Sequence, residues 1–204
     1  MNMNMASPDT LVISTVAGAL LAGLLTVATW SDLRERRVPN ALVLAGVATG
    51  LMLNAFAPSG SGFFSVLRPG GLGFLTAGAG LFAGAALLLP LYLIHGMGAG
   101  DVKLMGMVGA FVGPLSVIDV ALLTLVAGGV LAGAVAFWNG TLSRAAENIR
   151  FMMIDSVTRG FCGQRIELAA AHQCAGNVPY ALAIACGTLL HLLFVGNGYS
   201  LFAH

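Results

Sequence analysis

The chain has 204 residues, 58% of them hydrophobic and only 8% charged, with a formal net charge of +1. So little charge cannot cover a water-soluble domain of this size, and it offers no basic face to nucleic acid. What remains is a polytopic membrane protein, all-α, folding as a single domain over residues 1–204 because no polar stretch is long enough to fold alone.

A bilayer core of about 30 Å takes about 20 helical residues. Six apolar stretches meet that need and predict a six-transmembrane-helix bundle. The opening "MNMNMASPDT" lacks the basic region of a cleavable signal, so the first stretch, Thr10–Trp30, reads as a retained span. "SDLRERRVPN" follows it and leads into a second span over Ala41–Ala57. The third covers Leu72–Ile94, and "HGMGAGDVKLM" separates it from the fourth, Val102–Ile118. Gly113, Pro114 and Asp119 in "VGPLSVID" suggest a tight polar turn before the fifth, Val120–Trp138, with Asp119 exposed on the outer side. Residues 139–177 form the one extended polar region, a cytoplasmic loop whose mixed apolar and basic residues suit a helix lying on the inner membrane surface or a solvated loop. Val178–Val195 is the sixth span, with Pro179 tolerable in its first turn and Tyr180, like Trp30, placed as an interface anchor or at the border of a site.

Of the 9 Lys and Arg residues, all but Arg68 fall on one side if the N-terminus is outside, so the positive-inside rule selects N-out and C-out. Gly46/Gly50, Gly80/Gly84, Gly109/Gly113 and Gly129/Gly133 have the spacing that lets helix backbones approach closely. Packing is the simpler use of them; a face that parts to admit a substrate helix is the other. Cys162, Cys174 and Cys186 form no C-x-x-C pair, and His95, His172, His191 and His204 show no metal-ligand spacing, so no metal or cofactor is expected.

Two aspartates share one face under this topology: Asp32 just beyond the first span and Asp101 at the mouth of the fourth. Each alone has a plain use. Asp101 can cap a helix, and Asp32 can pair with Arg34 or Arg36. Together they have the chemistry of an aspartyl protease, since two neighbouring carboxylates share one proton and divide the roles of base and acid. Gly98 and Gly100 would let a second backbone approach the carboxylates.

At these residues the sequence resembles the type IV prepilin peptidases, which are G-x-G-D membrane aspartyl proteases. "GAGDVKLM" resembles their G-x-G-D-x-K-L motif, "SDLRERRVPN" their first aspartate segment, and "VPYALAIACG" the opening of their last helix. The resemblance implies that Asp32 and Asp101 are catalytic, with Gly98, Gly100, Lys103, Arg37, Pro39 and Asn40 supporting them. It implies cleavage of a short basic leader from a prepilin or pseudopilin precursor on the cytoplasmic side of the bacterial inner membrane, among membrane lipids and without nucleic acid. Longer members carry an N-terminal region with paired C-x-x-C motifs linked to methylation. This chain is similar to the short, peptidase-only branch, either the TadV/CpaA peptidases of tight-adherence (Flp) pilus systems or the archaeal preflagellin peptidases. A non-enzymatic scaffold of pilus assembly and a small transporter are the rival classes; the latter would place ionisable groups near the bilayer midplane.

Overall fold

A computed structural model describes residues 8–35, 37–65, 69–93, 97–138, 140 and 180–197. Among these are six helices: α1 (Pro8–Glu35), α2 (Asn40–Phe56), α3 (Phe74–Leu93), α4 (Ala99–Val112), α5 (Ser116–Trp138) and α6 (Tyr180–Gly196). No strand forms among the described residues, only isolated bridges in the α2–α3 connection, Ser59 with Gly71 and Gly62 with Gly70. The expectations on the loop 139–177, on Cys162 and Cys174, and on His95 fall outside the described residues.

The helix boundaries follow from local chemistry. Pro39 has extended backbone and its carbonyl accepts the N–H groups of Leu42 and Val43, which starts α2 at Asn40. Gly113 ends α4 with φ +91°, a left-handed conformation that a side chain would strain. Its N–H bonds to Gly109 O at 2.9 Å, and its carbonyl accepts Val117 N–H at 3.1 Å to open α5. One glycine therefore closes one helix and begins the next.

That break corrects the expected fourth and fifth spans. The chain turns at Gly113–Leu115, so α4 occupies Ala99–Val112 and α5 already runs from Ser116. Asp119 is consequently not an exposed turn residue. It lies in the first turn of α5, 1% exposed, with Oδ2 4.0 Å from Nδ1 of the buried His191 on α6. Its other oxygen, and the Thr124 hydroxyl, have no hydrogen-bond partner among the described atoms. An acid near a span end suits a turn as well as a neighbouring helix, and apolar patterning does not separate the two.

At 14 residues α4 is about 21 Å long, short of the roughly 30 Å hydrocarbon core. Its residues from Leu104 to Val112 are all buried, so it forms the axis of the bundle and not a lipid-facing span. Its largest contacts are with α3 and α2, while α5 packs chiefly on α6. Three helical segments are long and apolar enough to cross a membrane, Val12–Glu35, Phe74–Leu93 and Ser116–Val135; α2 and α6 are shorter apolar helices. Large apolar side chains point outward around the bundle, among them Leu75 at 85% exposed and Phe82 at 73%. Water would penalise such a surface, and lipid would not.

The paired glycines are consumed by packing. A Cβ on Gly80 would fall on Gly109 O and one on Gly109 on Gly80 O, so the α3 and α4 backbones touch there. Gly84 meets Met105 O in the same way at 2.5 Å, while Gly46 and Gly50 receive Met107 and Phe111. These faces are closed within the bundle and are not held open for another helix. Gly129 and Gly133 have nothing within 4 Å among the described residues. Asn54, 1% exposed, ties α2 to the core: Nδ2 donates to Gly50 O and Ala110 O, and Oδ1 accepts Leu72 N–H at 2.9 Å. All three bonds are satisfied in a dry place, where each unmet group would be costly.

Candidate active site

The residues expected from sequence to act together gather at one end of the bundle. Asp32 stands in the last turn of α1, partly buried. The short connection through Arg37, Val38 and Pro39 returns the chain into α2, and Ser31 Oγ donates to Arg37 O at 3.0 Å to hold that return against α1. Arg34 lies over the Trp30 ring, 5.7 Å from its centroid, a cation–π arrangement.

Asp101 is the third residue of α4, 9% exposed. Its Oδ2 accepts the Gly98 N–H at 3.3 Å, which satisfies one of the free donors at a helix start. Capping and proximity to Asp32 therefore coexist; the capping bond engages one carboxylate oxygen. Burial, with the negative charge of Asp32 acting in the same direction and the Gly98 bond acting against both, holds the Asp101 carboxyl at about 6. Charge on one aspartate is thus felt by the other, although 69 positions separate them along the chain.

Gly100 packs under the α1–α2 connection: a Cβ there would lie 3.5 Å from the Val38 side chain. Gly98 has extended backbone and precedes the first turn of α4. Its role is therefore met by local geometry and by the bond to Asp101. Lys103 and Asn40, singled out separately in sequence, meet in a hydrogen bond of 3.0 Å. Pro39 and Arg37 lie in the connection, exposed, and Arg37 contributes its carbonyl to Ser31.

α6 closes the site from the other side. Thr29, one turn before Asp32, hydrogen-bonds Ala181 O at 3.5 Å across the α1–α6 contact. The neighbouring Tyr180 lies within electrostatic reach of Asp101, with its hydroxyl side against Gly128 of α5. Of its two sequence readings, the border of the site is where the fold puts it. No group of three or more His, Cys, Asp or Glu side chains gathers among the described residues. The arrangement present is therefore two electrostatically coupled carboxylates with a phenol nearby.

The family model of the type IV leader peptidases matches residues 19–133, more than half of the chain and both aspartates. The chain belongs to the type IV leader peptidase family. Membership makes it a peptidase with a prepilin-type substrate, and the apolar helices agree with a membrane location. Comparison with curated proteins and with solved structures gave no match. The match ends within α5, so Tyr180 and α6 lie outside the matched residues and join the candidate site through the fold alone.

Proposed function

We propose that this leader peptidase is an aspartyl endopeptidase that removes a short basic leader from Flp-like prepilins, and that Asp32 and Asp101 are its catalytic pair. The observation that carries the reading is the coupling of two distant carboxylates at one end of the bundle, with Asp101 lifted to about 6. The more buried Asp101 holds the shared proton. Asp32 takes a proton from water, and the oxygen of that water attacks the scissile carbonyl carbon. Asp101 hydrogen-bonds the developing oxyanion, then gives its proton to the leaving nitrogen as the C–N bond breaks. A protonated Asp101 is required in the free enzyme, so kcat/KM falls as pH rises through about 6.

The chain forms one membrane-embedded domain over 1–204 in which six helices cross the bilayer, the short α4 doing so inside the bundle and away from lipid, with both termini outside, which leaves the aspartates on the cytoplasmic side of the inner membrane. The basic residues support this, since all but Arg68 then face inward. The supporting motif residues are Gly98, Gly100, Lys103, Arg37, Pro39 and Asn40. Cleavage in the manner of the TadV/CpaA peptidases is part of the same proposal.

Purified enzyme incubated with a prepilin tests the chemistry. Asp32→Asn and Asp101→Asn are each expected to lower cleavage by at least about a thousandfold, with expression and membrane insertion unchanged. Full activity in either variant would take that residue out of the mechanism. A scaffold or transporter would release no leader at all.

A further inference from the structure

Lys103 and Asn40 belong to the two aspartate segments, yet they touch each other. Lys103 Nζ donates to Asn40 Oδ1 at 3.0 Å, across 63 positions of chain. Asn40 is the first residue of α2, fixed there by Pro39. Lys103 stands two residues past Asp101, about 200° further round the helix, so it leaves α4 on a different side from the carboxylate. Its ammonium is directed to the neighbouring helix. Beside this bond Val38 rests on Gly100, within 3.5 Å of where a Cβ would stand. On its other limb the same connection is fastened to α1 by Ser31, one residue before Asp32.

The chain segment leaving Asp32 is thus fastened to α1 on one side and to α4 on the other. We propose that Lys103 and Asn40 are positioning residues of the peptidase, their hydrogen bond clamping the α1–α2 connection onto the start of α4 and so holding Asp32 against Asp101. The proposal rests on the two-aspartate reading above. It gives Lys103 a task within the enzyme, since one of the three ammonium donors is already committed to Asn40. Among the described residues, Asp32 from α1 and Tyr180 from α6 are the titratable groups in electrostatic contact with Asp101. Of these, Asp32 is the one whose distance the clamp sets.

The test uses the purified full chain and a synthetic peptide with a basic leader, a glycine at the cleavage point and an apolar helix. Lys103→Met and Asn40→Ala are each expected to lower kcat by on the order of tenfold to a hundredfold with KM little changed, as misplaced groups do. The double variant should be no worse than either single, since both remove one interaction. The alkaline limb of the pH profile should move below about 6 in Asn40→Ala, which changes no charge, because Asp101 loses part of the push from Asp32. Asn40→Asp, which keeps an acceptor for the lysine, should restore cleavage. The limb is independent of how much enzyme folds, so poor yield does not mimic the result. Additive losses, an unmoved limb, or a Lys103→Met variant altered in KM alone would overturn the clamp while leaving the peptidase reading intact. Cleavage that survives Asp32→Asn or Asp101→Asn would sink both.

Discussion

Burial and a second carboxylate act on Asp101 in the same direction, and both favour the acid over the carboxylate. The raised value has a stability consequence whose sign is fixed. A folded state that holds its proton more tightly than the unfolded chain gains stability below the ordinary value of 3.8 and loses it as pH rises through about 6. At neutral pH the ionised Asp101 therefore weakens the fold, by about 3 kcal/mol at most. Asp101→Asn removes that charge and leaves an acceptor for Gly98. The detergent-solubilised variant is expected to melt above the wild type at pH 8 and level with it at pH 4. Equal melting at both values would mean that Asp101 is not held protonated by its surroundings. At this scale sequence was informative where a charge interrupts an apolar chain: Asp32 and Asp101 both stood out. It was uninformative where two such groups meet, as with Lys103 and Asn40, or Asp119 and His191, because an exposed charge and a paired one are written with the same letters.

Among the elements, α4 differs from what its composition suggests. Its apolar residues read as a span, but they are needed because every neighbour packs on it. Glycine makes that density possible, and the Gly80–Gly109 contact is the tightest expression of it. Gly109→Leu would drive a side chain into the α3 backbone, where no flexible group can yield. The expected cost is about 2 kcal/mol or more, read as loss of monodisperse protein on gel filtration. Gly129→Leu, on a face that is open among the described residues, should elute like the wild type. The same spacing in the sequence thus hides two situations. Periodicity marks which glycines share a face, and only the partner helix decides whether that face is closed.

For the whole molecule, the connection between α2 and α3 lies at the opposite end from the aspartates, beside Asn54 and the Gly113 turn. Under the proposed orientation that end faces outward. With Cys162, Cys174 and Cys186 replaced by serine, a membrane-impermeant maleimide added to intact cells should label Ser61→Cys in this connection and spare Leu33→Cys beside Asp32. Both positions are exposed in the structure. The reverse pattern would invert the orientation and put the aspartates on the wrong side for a cytoplasmic leader.

The sequence by itself determined the solvent of this protein, its helical class and the two acidic segments, because hydropathy and the rarity of charge in lipid are properties of the chain read in order. It also carried the motifs of the leader peptidases. Tertiary structure alone decided that α4 is an axis and not a further lipid-facing span, that Asp119 turns inward to His191, and that Tyr180 borders the site. It alone joined Lys103 to Asn40. Each of these depends on which surfaces of distant helices meet, and contact between distant segments is a matter of packing that no local pattern encodes.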